Sequence, residues 1–443
     1  QDLTTGKPSR VLWKFCLPLF GSIIFQQLYN IADSFVAGKF IGENALAAVG
    51  NSYEITLIFI AFAFGCNIGC SVVAAQFFGA KDLRSMKTTI YTTLIASAGL
   101  CAVLMLVGLL LSRQLLGLIN TPDEIMKDSQ LYLNIYICGL PFVFFYNVAT
   151  GIFSALGDSK TPVFFLMASS LSNIAVDILF VTAFGMGVDG VAWPSVLSRA
   201  VAAVLILNRC YQKGHMLTVP KTFRLDGRMA KRILGIGIPS AFENSLFQAG
   251  RILVVSMIST FGTVQIAANA VANNLDGVGC IPGQAIGLAM ITVVGRCVGA
   301  GDNEQTVFYT RKLLLWAYIS MGIFNGGILL FLKPLVGIYA LSGETMALAI
   351  LLVQIHAGSG LFLWPASFVL PNALRAANDV KFTMVVSVLS MAIWRLGFSY
   401  LLCVRMGWGA VGVWIAMVID WVCRVICFVA RMKSGAWKTK YQA

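Results

Sequence analysis

Charge is what this 443-residue chain has least of: Asp, Glu, Lys and Arg together make up 12% of it, and histidine occurs only twice. A soluble chain of this length carries about a quarter charged residues to solvate its surface. The shortage, with 58% hydrophobic residues and a mean hydropathy of +0.82, excludes a soluble enzyme and points to lipid as the solvent. His215 stands in a basic loop and His356 in an apolar span. There is therefore no HExxH, no Cys/His cluster and no Ser/His/Asp set, and we expect neither catalysis nor a resident metal. The eleven cysteines are an odd number. The closest, Cys66/Cys70 and Cys423/Cys427, stand four apart in apolar runs and not in CxxC form, so all read as small packing residues. The net charge of +13 does not mark a nucleic-acid partner, because long stretches have no charge at all and no wet basic face is suggested.

What is present in quantity is apolar sequence in long runs. A helix needs about 20 apolar residues to cross the hydrocarbon core, and that ruler gives twelve spans: 11–37, 46–78, 88–111, 126–151, 161–184, 189–209, 231–260, 266–295, 312–332, 346–374, 382–404 and 409–430. Several exceed the minimum, so tilt or bending is expected. The segment Gln1 to Arg10 is polar and basic, and the apolar stretch after it reads as a span and not as a cleavable signal. With the N-terminus cytoplasmic, 23 Lys and Arg fall in connections or span ends on that side and five on the other, with Arg199, Arg251, Arg395 and Arg424 inside spans. This asymmetry puts both termini in the cytoplasm.

The two halves resemble each other at an offset of 220 to 221 residues. Gly79-Ala80-Lys81-Asp82 recurs as Gly299-Ala300-Gly301-Asp302, Ala155-Leu156-Gly157-Asp158 as Ala376-Ala377-Asn378-Asp379, and Pro18 as Pro239. Three markers in one order at one offset indicate duplication. Six spans per half relate the halves by an axis along the membrane normal, as in some secondary transporters. The expected organisation is an N-terminal six-helix bundle over 1–209, a cytoplasmic linker over 210–230 broken by Pro220 and Gly227, a C-terminal six-helix bundle over 231–430, and a cytoplasmic tail over 431–443.

These residues resemble a known family. The first-span pattern Pro18…Gln26-Gln27-Leu28-Tyr29-Asn30-Ile31-Ala32-Asp33, the Gly79–Asp82 loop, the exit Gly151-Ile152-Phe153-Ser154-Ala155-Leu156-Gly157-Asp158 and the fifth-span Asn173-Ile174-Ala175-Val176-Asp177 are similar to the multidrug and toxic compound extrusion (MATE) family, in its DinF-like prokaryotic branch. The resemblance implies an all-α integral membrane protein with twelve helices in two pseudo-symmetric six-helix bundles arranged as a V. It implies alternating access and export of amphipathic, often cationic small molecules against H+ or Na+. It further implies no cofactor beyond that ion, the lipid bilayer and drug-like molecules as partners, and a monomer in the cell membrane.

Ionisable groups near a bilayer centre cost roughly 2.5–3.5 kcal/mol each on insertion scales, so each needs a partner or a function. Apart from Asp128 and Asp189 at outermost turns, six acids fall inside the spans: Asp33, Glu54, Asp177, Glu243, Asp276 and Asp420. Tyr29 and Asp33 stand at i, i+4, as do Asn173 and Asp177, so each pair shares a helix face. The resemblance implies that Tyr29, Asp33, Asn173, Asp177 and Ser195 surround a polar chamber, with Ser195 where the branch has threonine, and that Tyr132 and Asn147 match chamber positions. Tyr146 and Gln27 are further cavity candidates, and Pro18 is a bending point. Burial disfavours a charged carboxylate, and a second carboxyl nearby couples the two titrations, which suits proton coupling. The oxygens of Asp33, Asn173 and Asp177 are equally suitable hard ligands for Na+.

Glu243 is expected to pair with Arg251 or Arg395, although those arginines could instead line a cavity and meet an anionic group. Asp420 and Arg424, at i, i+4, are expected to satisfy each other. Glu54 and Asp276 read as solvated entrance positions, Phe142, Phe144, Phe145 and Tyr146 as a candidate cavity wall, and Gly279-Cys280-Ile281-Pro282-Gly283 as a site of close packing. The competing class is a lipid-linked saccharide flippase of the same two-bundle plan, for which Arg251 and Arg395 are the only hint.

Overall fold

The computed structural model describes residues 8–36, 40–41, 43–118, 123–212, 227–337 and 343–441. Most of the expected linker therefore lies outside the described residues. Among the described residues the chain is helical with no strand. The first half contains α1 (Pro8–Val36), α2 (Glu43–Gly79), α3 (Leu83–Leu118), α4 (Asp123–Cys138), α5 (Leu140–Ala155), α6 (Lys160–Ile178) and α7 (Asp189–Gln212). The second contains α8 (Gly227–Ser259), α9 (Thr263–Gly299), α10 (Asn303–Leu330), α11 (Leu332–Gly337), α12 (Gly343–Gly360), α13 (Leu370–Ala376), α14 (Val380–Ser390) and α15 (Ala410–Ser434).

Eight of these stretches are long and apolar enough to cross a membrane, and two bent pairs raise the number to ten. The helices α1 and α8, 29 and 33 residues long with Pro18 and Pro239 inside them, begin the two repeats, and with them the helices follow the twelve expected spans in order. Large apolar side chains such as Leu106 and Leu110 on α3 and Ile323 and Leu330 on α10 stand exposed, as a lipid-facing surface requires. An all-α membrane protein is therefore what the residues build.

Two expected spans are not single helices. The span over 126–151 breaks between α4 and α5 with a 49° bend, and the span over 346–374 breaks between α12 and the segment Pro365–Ala376 with a 66° bend. Both breaks adjoin a proline, Pro141 in the first turn of α5 and Pro365, whose ring removes an amide donor from the ladder. They are the fourth span of each half. The fifth span of each half likewise ends in a π-helical turn, Leu179–Ala183 after α6 and Tyr400–Arg405 at the matching place.

The repeated Gly/Ala…Asp markers acquire a physical meaning as four turns of one design. At the first, the amides of Lys81 and Asp82 donate to the carbonyls of Phe78 and Phe77, and at the second those of Gly301 and Asp302 donate to Val298 and Cys297. Gly157 and Asp158 repeat the pattern onto Ser154 and Phe153, as do Asn378 and Asp379 onto Arg375 and Leu374. This is the paired bonding that closes a helix C-terminus through one left-handed residue. That residue is Lys81 (φ 58°), Gly301 (φ 74°), Gly157 (φ 79°) and Asn378 (φ 69°) in the four turns.

The following aspartate then starts the next helix. Asp82 accepts from the amide of Ser85 (3.1 Å), Asp302 from Gln305 (3.0 Å) and Asp158 from Thr161 (3.2 Å). Asp379 departs from this use: its carboxylate takes two bonds from Arg431, at 2.7 and 3.1 Å. The Ser85 hydroxyl and amide hold the Asp82 carboxyl below the usual carboxylate range. Its capping contribution is thus present above about pH 4 and is lost as pH falls through the depressed value.

By residue contacts the chain divides into two compact units, Gln1–Ser245 and Leu246–Ala443, with the division inside α8. In the first unit α2 packs against α3, α4 and α5, α1 against α6, and α6 against α7. Its main core gathers Ile55, Phe59, Ile90, Leu133, Phe144, Phe153 and Ile206. Close approach in this unit uses small residues: a Cβ on Gly65 would lie 2.6 Å from that of Ala241 and 2.7 Å from the Gly237 carbonyl oxygen. In the second unit α9 is packed by α10, α12 and α13, and α15 by α12 and α14.

Two substitutions test the turn design by thermal unfolding of the detergent-solubilised protein. Lys81→Gly relieves a left-handed lysine and is expected to stabilise by up to about 1 kcal/mol. Asp302→Ala removes a cap and is expected to cost about 1 kcal/mol.

Candidate functional site

The C-terminal part of α6, just before the π-helical turn, and the first two turns of α7 hold the polar set of the first half. Asn173 and Asp177, one turn apart on α6, are fully buried, and Ser195 on α7 is buried beside them. The Ser195 hydroxyl donates to Asn173 Oδ1 at 3.2 Å and lies 3.4 Å from the Val191 carbonyl. Around this set stands an apolar cluster of Val36, Val49, Tyr132, Val181, Val188, Val191 and Val196. Val181 and Val191 lie one turn from Asp177 and Ser195, so Tyr132 joins the same neighbourhood. A carboxyl, an amide and a hydroxyl in an apolar wall form a small oxygen-rich site that can exchange a proton or hold a hard cation.

The side chains of Gln27, Tyr29 and Asp33 lie outside the described residues. The backbone of α1 nevertheless gives their level. The Ser159 hydroxyl donates to the Phe15 carbonyl at 2.7 Å and the Ser170 hydroxyl to Phe25 at 3.3 Å, so α1 and α6 run parallel in nearly constant register. Continued at about 1.5 Å per residue, that register sets residue 33 level with residues 177–178.

Two other cavity candidates are placed differently. The Asn147 amide donates to the Val143 carbonyl of its own helix at 2.8 Å. Tyr146 packs on the α2–α5 core and donates to the Pro162 carbonyl at 3.3 Å. Of the candidate aromatic wall, Phe144 is fully buried in that core and Phe142 packs against the valine cluster. A bent span supplies internal packing there, which is why the aromatic run is not one continuous wall.

The second unit holds two further charged groupings. On α15, Arg424 Nε lies 3.1 and 3.2 Å from the two oxygens of Asp420, as the i, i+4 spacing predicts, and both residues are buried. Ser390 on α14 donates to the same carboxylate, and Ser387 accepts from Arg424 at 3.1 Å. Arg395, carried by the π-helical turn Met391–Gly397, lies 3.9 Å from Asp420 and over the Phe247 ring. Asp420 is thus the charge that Arg395 faces within its own unit. Glu243 is buried on the first-unit part of α8, and Arg251 is half-buried on the second-unit part.

The other grouping corrects an expectation. Asp276 does not stand at a solvated entrance: it is buried on α9, 3.0 Å from Nδ1 of the equally buried His356 on α12. Glu54, read the same way, is half-buried. Eighty residues separate Asp276 from His356, so no spacing rule joins them. The usable signal is the seven-residue interval of Asn269 and Asp276 on α9, matched by Trp414 and Trp421 on α15. The close packing expected around Gly279 and Gly283 is present, since a Cβ at Gly279 would lie 2.3 Å from Asn325 Oδ1 and one at Gly283 2.3 Å from the Trp364 ring.

Long apolar helices in two repeats, each carrying buried ionisable groups, define a membrane transporter. The MatE family model matches the chain twice, over residues 18–179 and 239–401, with starts 221 residues apart at Pro18 and Pro239, and the chain belongs to this family. The probable multidrug resistance protein YoeA of Bacillus subtilis is 27% identical over 89% of this chain and 87% of its own length. The probable multidrug resistance protein NorM of Thermotoga maritima is 25% identical over 97% and 93%. Among solved structures, a crystal structure of MATE in the bent conformation superposes with a TM-score of 0.90 at 22% identity, covering 98% of this chain and 97% of that one. A MOP superfamily transporter from Pyrococcus furiosus, described as having a binding pocket of reverse polarity, gives 0.89 at 23% identity with the same coverage. At these identities the structures establish the fold.

The Asp420 network yields a stability test. Removing one partner of a buried pair strands the other charge, so Arg424→Leu is expected to cost about 3–5 kcal/mol. The uncharged double variant Asp420→Asn/Arg424→Gln should recover much of the loss in thermal unfolding.

Proposed function

We propose that this chain is a cation-coupled multidrug efflux antiporter that exports amphipathic, often cationic molecules by alternating access, with H+ as the coupling ion. The observation that carries the reading is the buried Asn173–Asp177–Ser195 set, with residue 33 level with it on the parallel helix α1. Residue 33 is an aspartate, and two carboxyls brought together away from water would share protons in coupled steps, while Asn173 and Ser195 can bond the carboxyl of Asp177 in either state. Loading this site from outside and releasing the proton inside would drive a substrate the other way. The multidrug resistance names of the relatives support the substrate class.

In this reading Pro18 lets α1 bend between loaded and unloaded states, and Tyr29, Gln27 and Tyr132 line the route. The two six-span bundles, 1–209 and 231–430, are joined by a cytoplasmic linker in a monomer of the cell membrane with both termini inside, in keeping with 23 Lys and Arg on that side against five. The antiporter is favoured over a flippase because Arg395, half of the cationic hint, lies beside Asp420 and against Phe247.

Uptake of a fluorescent cation into liposomes holding the purified protein, with pH and sodium gradients imposed separately, tests the proposal. Transport under the pH gradient alone is expected, with Asp33→Asn and Asp177→Asn each reducing it at least about tenfold, equivalent to about 1.4 kcal/mol. Transport under sodium alone assigns Na+ to the same oxygens and overturns the choice of H+. Unimpaired pH-driven transport in both variants overturns the site.

A further inference from the structure

The geometry points to a second proton-binding site in the second unit, the buried pair Asp276–His356. A carboxylate oxygen and an imidazole nitrogen 3.0 Å apart are both acceptors unless a proton lies between them, so a favourable contact there calls for one. With one proton on the outward nitrogen as well, the pair is neutral, either as carboxylic acid with imidazole or as carboxylate with imidazolium. Loss of a proton to water leaves a carboxylate beside a neutral imidazole that donates from Nδ1, and a net charge of −1. The pair can therefore take up or give back one proton, with no other reactant, and a hydrogen bond between the two groups can form in either state.

The surroundings are built to hold the imidazole. Trp421 and Trp414, two turns apart on α15, meet it edge-on with ring centroids 4.9 and 5.6 Å away. Trp414 is itself fixed by its Nε1 donating to Asn269 at 2.8 Å, two turns from Asp276 on α9. Three helices thus meet at the pair, and the ring is oriented by packing.

The charged and titratable groups on the surrounding elements are mostly occupied with one another. From α15, Asp420 and Arg424 bond each other, and Arg395 lies between that pair and Phe247. From α8 comes Arg251, close enough to act on Arg395 through its charge. On α9, Cys280 stands one turn from Asp276. From α10, Tyr318 donates to the Phe362 carbonyl, from α13 Arg375 donates to Asn372, and on α11 Lys333 is exposed. The nearby net charge is positive, supplied by Arg395 and Arg251, and it would help the pair give up its proton when the two arginines stand close.

This site is distinct from the Asp177 set and rests on the transporter reading only for its use: a second proton per cycle, or a pH sensor on the second unit. Its existence is tested without transport. pH-difference infrared spectra of the protein in lipid vesicles, taken between about pH 5 and 9, the range bracketing histidine titration, are expected to show carboxyl and imidazole bands. The Asp276 carboxyl contribution should vanish in Asp276→Asn and change in His356→Gln, while persisting in Asp177→Asn. Both tested substitutions keep hydrogen-bonding amides, so a purely structural pair would leave folding and the pH profile of cation uptake unmoved. We expect monodisperse variants whose uptake profile shifts along the pH axis. Difference spectra identical in wild type, Asp276→Asn and His356→Gln overturn the proposal. If no variant or wild type transports the cation but the bands behave as expected, the proton site stands and the efflux reading falls.

Discussion

Inside hydrocarbon a polar group has no water to fall back on, and the cost of leaving one unsatisfied is several kcal/mol. That constraint orders this molecule. It requires helices wherever the chain crosses, and it permits a break in a span only where protein surrounds it, as between α4 and α5 beside α7 and between α12 and α13 beside α9. It also explains the company these buried polar groups keep: Asp420 has Arg424, Ser390 and Arg395, Asp276 has His356, and Asn173 has Ser195.

The same constraint separates two kinds of buried acid. Asp420 is balanced by fixed cations whose charge does not change near neutral pH, so its neighbourhood is static and serves to bind α14 to α15. Asp276 is balanced by a group that can itself lose a proton, and Asp177 shares its wall with an amide and a hydroxyl, which carry no charge. The same acid residue type is thus held in different company in each place.

The sequence made the repeating parts legible and the joining parts less so. Apolar run length found the spans, and the Gly79–Asp82 and Ala155–Asp158 markers found the duplication, because both are local features of a helix or a turn. Asp420 with Arg424 was readable for the same reason. The pair Asp276–His356 was not, since the two meet only after α9, α12 and α15 pack, and a lone histidine in an apolar span carries no spacing signal. The bends in the fourth and tenth spans were signalled by Pro141 and Pro365, but an unbroken apolar run masked them. Phe144 shows the opposite error: an aromatic residue that looks like part of a binding wall in a list is core once the helices pack, while Tyr146 lies half-buried against that core.

The four helix-closing turns carry a record of the duplication. At each matched pair one copy has glycine and the other does not: Lys81 against Gly301, and Gly157 against Asn378. The left-handed backbone is kept in all four while the residue best suited to it is kept in two. What has been retained since the halves diverged is therefore the path of the chain, and each half now holds, at one turn, the residue its twin has lost.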